Sequence, residues 1–332
     1  MRVAVDESFR PVSWLRNPHM QSMLPTLAAR RRALAAAVRP VLAASREMLL
    51  DCGDGVRLQA FHTAAPRPTG SARRTAVLLH GWEGSADSLY VLSLAQQVYA
   101  RGVDVVRLNM RDHGTTHHLN RELFHSCRIA EVVGAVRTLQ QHFAGEPLAL
   151  AGFSLGGNFM LRVAAQAQAA DLRLAGVVAI SPVLEPAATL EALERAPRPY
   201  RWYFVRRWSR SLRAKQSAWP GEYDFTRLLR LRDLRAMTAE LVSRFTSFGG
   251  LEEYLRGYAI TGSRLAHLNV PARIITALDD PIIPARDLEQ LPALPALSVT
   301  LTRYGGHCGF LERLGEPTWA ERRAAHELAL VL

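Results

Sequence analysis

Three residues far apart in the chain have the types and neighbours that nucleophilic acyl chemistry needs: Ser154, Asp280 and His307. Ser154 is the centre of Gly152-Phe153-Ser154-Leu155-Gly156, a G-x-S-x-G pentapeptide. A serine in that pattern sits on a sharp strand-to-helix turn, which raises its hydroxyl above the sheet and aims backbone N–H groups at the same space. The flanking glycines suit a bend where a side chain would collide with the neighbouring strand or helix. A serine hydroxyl is a poor nucleophile until a base takes its proton. His307 lies in Tyr304-Gly305-Gly306-His307-Cys308-Gly309-Phe310, a glycine-rich loop from which an imidazole can approach a hydroxyl without steric interference. The imidazole in turn needs a carboxylate to hold its tautomer and stabilise the imidazolium. Leu278-Asp279-Asp280-Pro281 offers Asp280, with Asp279 as the alternative. Upstream, His80-Gly81-Trp82-Glu83-Gly84-Ser85 can turn the Trp82 amide toward the serine, and with the amide of Leu155 it would form a two-donor oxyanion hole.

Each of these matches has a bland reading, since the pentapeptide arises by chance, Asp-Asp-Pro is a common turn and most histidines in glycine loops are structural. Their joint order is harder to explain that way. Serine, then aspartate, then histidine is the order of one hydrolase scaffold and differs from the orders in the other two main ones. Each motif also follows an apolar, strand-like run: Ala76 to Leu79, Leu148 to Ala151, Arg273 to Ala277 and Leu297 to Thr302.

The elements that must position these residues alternate along the chain. Met48-Leu49-Leu50 and Val56 to Phe61 flank a hairpin-type turn, Cys52-Gly53-Asp54-Gly55. Helical patterns cover Leu89 to Ala100, Arg121 to Phe143, Leu155 to Gln168 and Thr318 to the C-terminus, and strand patterns cover Val103 to Leu108 and Leu174 to Ile180. This reads as an α/β fold with a mostly parallel, twisted sheet and helices on both faces, ligands binding at the carboxyl ends of the strands. Between Ile180 and Arg273 lie roughly 90 residues, far more than an ordinary connection. Helical periodicity at Thr226 to Leu234 and Ala239 to Phe245 makes this a mostly helical cap. The expected organisation is an N-terminal arm over 1–45 with a helix from Leu27 to Ser45, a core over 46–182, a cap over 183–270 and the rest of the core over 271–332.

Composition narrows the classes. The chain has 332 residues, 48% hydrophobic and 21% charged, as in ordinary globular proteins. It has no run near the ~18 unbroken apolar residues of a membrane span, and its first residues lack the pattern of a secretory leader. Three scattered cysteines without metal-site spacing point to a reducing cytoplasm. The net charge of +11 is nearly all arginine, Lys215 being the only lysine, and no nucleic-acid motif accompanies it, so no nucleic-acid partner is expected. Asn109 to His118 and His125 form a histidine-rich loop without zinc-motif spacing, which reads as pocket rim or loop support; no metal and no organic cofactor are expected. Tyr200 to Trp208 interleaves aromatics with arginines. Packing on the body is the ordinary reading of such a stretch, and contact with an anionic lipid surface is the alternative.

With these motifs the chain resembles the α/β-hydrolase superfamily, and within it the YheT-like branch with its ABHD1/ABHD3-type eukaryotic relatives. Asn17-Pro18-His19-Met20-Gln21-Ser22 is similar to that branch's N-terminal signature, His80 to Ser85 to its oxyanion segment and Gly152 to Asn158 to its elbow, with Asp280 and His307 at its remaining catalytic positions. The likeness runs from about Pro11 to Leu314, while Tyr258 to Leu265 departs from the tyrosine-rich pattern usual in the cap. The resemblance implies an α/β-hydrolase fold with a helical cap and hydrolysis of carboxylic esters. A short-chain carboxylesterase is the expectation. An acylglycerol lipase or phospholipase at membrane surfaces, and a catalytically silent binding protein, are the alternatives. His80, Gly81, Arg111, His113 and Asn158 are candidate pocket residues.

Overall fold

The computed structural model describes residues 1–67, 72–144 and 146–332. In chain order it contains β1 (Arg2–Val5), α1 (Pro18–Met23), α2 (Ala28–Ala44), β2 (Ser45–Asp51), β3 (Arg57–Thr63), β4 (Thr75–Leu79), α3 (Leu89–Tyr99), β5 (Asp104–Leu108), α4 (Ile129–His142), β6 (Leu148–Phe153), α5 (Leu155–Ala165) and β7 (Leu174–Ile180). Then follow α6 (Pro186–Arg195), α7 (Arg198–Ala218), α8 (Leu234–Phe245), α9 (Leu251–Tyr258), β8 (Ala272–Ala277), β9 (Leu297–Thr302) and α10 (Trp319–Val331).

The strands make one sheet in the order β1-β9-β8-β7-β6-β4-β5-β3-β2. Only β3 runs against the others, pairing antiparallel with β2 and β5. Every residue of β4, β5 and β6 is buried, as strands covered by helices on both faces must be. One face packs on α4, α5 and the cap through Val132, Phe159, Leu212 and Leu241, and the other on α3 and α10 through Val91, Leu94, Ala324 and Leu328. This is the α/β-hydrolase fold expected from the motifs.

The arm wraps the second face. On α2, Arg30 is fully buried and reaches both oxygens of Glu321 at 3.1 and 2.8 Å. Glu321 also accepts from Ser93 of α3 and from the Thr318 N–H that caps α10, so one carboxylate ties three helices. A buried ion pair of this kind is worth little over an apolar substitute, but losing one partner strands a charge.

Three local expectations need correction. The helix expected over Arg121 to Phe143 starts at Ile129, because the preceding segment spends its hydrogen bonds elsewhere: the Phe124 N–H donates to Asp112 and the Arg128 side chain to the Leu123 carbonyl. Thr226 to Leu234 contains only a 3-10 turn at Leu228–Arg230; Asp233 accepts from the Ala236 N–H and so fixes the start of α8 one residue later. The helix after Ser154 ends at Ala165 rather than Gln168. The strand β1, paired in parallel with β9 at the sheet edge, was not anticipated.

Candidate active site

β6 ends at Phe153 and α5 begins at Leu155, leaving Ser154 alone in the turn with φ 52° and ψ −118°. That conformation is costly for a residue with a Cβ and persists only where its surroundings enforce it. Here the Ser154 N–H donates to Ile180 of β7 at 2.9 Å, and its carbonyl accepts from Asn158 and Val183. The two glycines are required by close approach: a Cβ on Gly152 would lie 2.4 Å from the Gly156 carbonyl carbon, and one on Gly156 would lie 2.3 Å from the His80 carbonyl oxygen.

His307 Nε2 lies 3.0 Å from Ser154 Oγ, and His307 Nδ1 lies 2.9 Å from Asp280 Oδ2. The other oxygen of Asp280 accepts from the Ile282 and Ile283 N–H groups at 2.9 Å each, which fixes the carboxylate after β8. Asp279 faces elsewhere, accepting from the Gly306 N–H at 2.9 Å, and burial pushes its carboxyl up to about 6. Of the two aspartates the geometry brings Asp280 to the imidazole. Burial opposes charge on His307, but the Asp280 carboxylate and the Cys308 side chain outweigh it and hold the ring well above its ordinary value.

The loop carrying His307 is braced by the N-terminal arm. Ser22 Oγ accepts from the His307 N–H at 2.9 Å. Gln21, fully buried, donates to the Leu15 and Leu311 carbonyls at 2.7 and 3.0 Å and accepts from the Leu311 N–H at 2.7 Å. Gly306, at φ +53°, leaves room for the Pro18 carbonyl oxygen, which a Cβ would approach to 2.4 Å. Pro18, Gln21 and Ser22 belong to the Asn17 to Ser22 signature, whose sequence alone carries no sign of this bracing role.

The loop from His80 to Ser85 is held by α7. Gly81 packs directly on Ser154, since a Cβ there would sit 3.3 Å from Ser154 Cβ. Next to it, the Trp82 ring stacks on Phe204 at 5.5 Å and meets Trp208 edge-on at 5.2 Å, both on α7. Arg207 of the same helix donates from Nε and Nη2 to the Glu83 carbonyl at 3.0 and 2.5 Å. Glu83 is itself left-handed at φ 57°, and burial pushes its carboxyl up to about 8. Leu155 opens α5, so its N–H belongs to the first turn, whose donors have no partner inside the helix.

Ser154, His307, Trp82 and Leu155 all face a cavity of about 750 Å³, walled largely by apolar side chains such as Leu190, Phe204, Leu241 and Tyr254. Of the candidate pocket residues only Gly81 lines it. The other four lie behind its wall, where they bond to the protein rather than face the cavity. His80 donates from Nδ1 to the Gly81 carbonyl at 2.7 Å and accepts at Nε2 from the Met110 N–H, and burial lowers its ring to about 4. Arg111 is buried against Glu131 at 3.0 Å. His113 bonds the Arg111 carbonyl at 2.7 Å and packs on His80. Asn158 donates to Val183 and Tyr258 at 2.9 and 2.8 Å, joining the elbow helix to both ends of the cap.

The histidine-rich loop serves as a strap for the cap. Lys215 of α7 is fully buried and reaches Asp112 Oδ1 at 2.9 Å and the Asn120 carbonyl at 2.5 Å, while His117 meets Ser211 at 2.9 Å. Among the described residues no group of three or more His, Cys, Asp or Glu side chains could hold a metal ion. No helix among them is long and apolar enough to cross a membrane.

Residues 76–314 match the family described as alpha/beta hydrolase fold. Over 95% of its length the chain is 26% identical to YheT of Escherichia coli (strain K12), a protein whose name calls it an esterase, and it covers 91% of that protein. The mouse phospholipase ABHD3 is 23% identical over 93% of the chain and 74% of its own length. Among solved structures, an esterase of Pyrococcus furiosus has a TM-score of 0.57 at 16% identity, covering 86% of this chain and 89% of that one. A bacterial membrane phospholipase A has a TM-score of 0.55 at 16% identity, with 94% and 95% covered.

Proposed function

The chain belongs to the alpha/beta hydrolase family, and from that premise we propose that it is a serine hydrolase of carboxylic esters working through Ser154, His307 and Asp280. The observation that carries this reading is the unbroken relay from Ser154 Oγ to His307 Nε2 at 3.0 Å and from His307 Nδ1 to Asp280 at 2.9 Å, opening on an apolar cavity. His307 takes the serine proton as Ser154 attacks the ester carbonyl, and Asp280 stabilises the resulting imidazolium. The amides of Trp82 and Leu155 take the oxyanion; such preorganised donors are each worth about 3 kcal/mol of barrier. The proton then passes from His307 to the departing alkoxide. Water, deprotonated by the same ring, releases the acid from the acyl-enzyme.

For substrate, the reading is a carboxylesterase of short acyl esters, with acylglycerols or phospholipids as the second. The second is favoured by the size of the cavity, about 750 Å³, which lies in the upper part of the range for drug-sized ligands. Turnover of p-nitrophenyl esters of increasing chain length, beside monoacylglycerols and phosphatidylcholine, tests both. Activity confined to acetate and butyrate supports the first, a rate rising with chain length supports the second, and a Ser154→Ala variant with the wild-type rate refutes both.

A further inference from the structure

The arginine excess is unevenly placed. Residues 8–46 and 195–221 contain fifteen basic residues and no Asp or Glu, although the whole chain has 30 acids and a net charge of only +11. The first stretch is the arm and the second contains α7. They meet where His19 Nδ1 lies 3.2 Å from the Tyr200 hydroxyl and their rings pack edge-on at 5.5 Å.

The same two segments expose apolar side chains that the core does not use. Trp14 is 59% exposed, Met23 45%, Leu27 43% and Trp202 63%. Arg16, Arg31 and Arg32 stand exposed among the first group, and Arg198, Arg206 and Arg210 among the second. Arg206 lies over the Trp202 ring at 5.3 Å. The mouth of the active-site cavity is here too: every exposed residue of its lining falls within 23–31 or 199–203, or is Asp87.

Apolar side chains set around an opening among arginines that form no ion pair with the described residues suit a bilayer carrying anionic headgroups, where aromatic rings sit at headgroup depth and each arginine adds attraction. We infer that the arm from Trp14 to Arg32 and the outer face of α7 form a docking surface for an anionic phospholipid membrane, seating the cavity mouth against the headgroups. What then enters the mouth rests on the ester-hydrolase reading, whereas the docking does not.

Co-sedimentation with phosphatidylcholine vesicles, with and without phosphatidylglycerol, tests the surface at low and high salt. The proposal expects binding only to the anionic vesicles, falling with salt and equal for wild type and Ser154→Ala, which separates docking from catalysis. Charge reversal at Arg198, Arg206 and Arg210 together should weaken it at least about a hundredfold, since loss of each arginine alone is worth roughly fivefold and the introduced carboxylates add repulsion. Trp202→Ser should weaken it roughly tenfold. Reversal of Arg101, Arg137 and Arg173, exposed residues of the hydrolase body away from this mouth, makes the same change in net charge and should alter binding little. Equal loss in both triple variants, equal binding to neutral vesicles, or tighter binding to double-stranded DNA relieved by the same substitutions would overturn the proposal.

Discussion

Replacing Asp280 by Asn removes one charge and leaves the shape of the site nearly intact. The Asn oxygen can still accept from the Ile282 and Ile283 N–H groups, which hold the native carboxylate at 2.9 Å. Its amide nitrogen then faces His307 Nδ1, 2.9 Å from the present oxygen, and as a donor it favours the tautomer protonated on Nε2. A ring protonated there cannot take the Ser154 proton, and loss of the orienting carboxylate in such a triad costs about four orders of magnitude in kcat. Coulomb's law gives the same scale: unit charges 2.9 Å apart interact by about 6 kcal/mol at an effective dielectric of 20. Four orders of magnitude in rate are about 5 kcal/mol.

The pH profile supplies an independent sign. His307 must be neutral to act as base, and Asp280 holds it well above the ordinary value against the opposing effect of burial. Wild-type kcat/KM should therefore rise with pH through a midpoint above 6.5 and be lost below it. Without Asp280 only the Cys308 side chain still opposes burial, so the acid limb of the residual activity should move down. The comparison is Asp279→Asn, which keeps the acceptor for the Gly306 N–H and should stay within about tenfold of wild type. Steady-state hydrolysis of p-nitrophenyl butyrate across pH reads both effects. Similar losses in the two variants, or an unmoved acid limb for Asp280→Asn, would refute the reasoning.

Other expectations follow from the braces around the site. Gln21→Leu removes three buried hydrogen bonds and strands both backbone groups of Leu311; thermal unfolding should show a loss of about 2–5 kcal/mol, with kcat falling more than KM rises. Arg207→Met frees the Glu83 carbonyl and should lower kcat roughly ten- to a hundredfold with little change in KM, because the oxyanion loop rather than substrate binding is disturbed. Glu83, raised by burial from 4.5 to about 8, is neutral when folded and ionises when unfolded. Its contribution to stability is thus complete below 4.5 and lost as pH rises through 8, and Glu83→Gln should remove that decline, worth at most about 5 kcal/mol, from the pH dependence of Tm.

The motifs that meet at the candidate site were legible in the sequence because each sits where a buried strand ends, and buried strands announce themselves as unbroken apolar runs such as Ala76 to Leu79. What was missed lacked such a signal. All four residues of β1 are exposed, so no burial pattern marks it and only its pairing with β9 makes it a strand. Residues 121–128 carry apolar residues that suit a helix, yet Asp112 and Arg128 draw their backbone groups into a loop, a competition that spacing does not reveal. The pocket expectation failed for His80, Arg111, His113 and Asn158 for a common reason. A polar residue near a site need not face it: these four bond to backbone carbonyls behind the wall, and Arg111 to the Glu131 carboxylate as well. Ser22 bonds His307 from 285 positions away and Gln21 bonds Leu311 from 290, and only their place in the N-terminal signature marked them.

The central claim is that Ser154 is a nucleophile activated by His307. Treating the protein with a fluorophosphonate and mapping the adduct by peptide mass spectrometry tests it most directly. One adduct is expected, on the peptide containing Ser154, absent in Ser154→Ala and strongly slowed in His307→Ala. No adduct on the folded wild type, or an adduct that persists in Ser154→Ala at Cys308 or elsewhere, would contradict it.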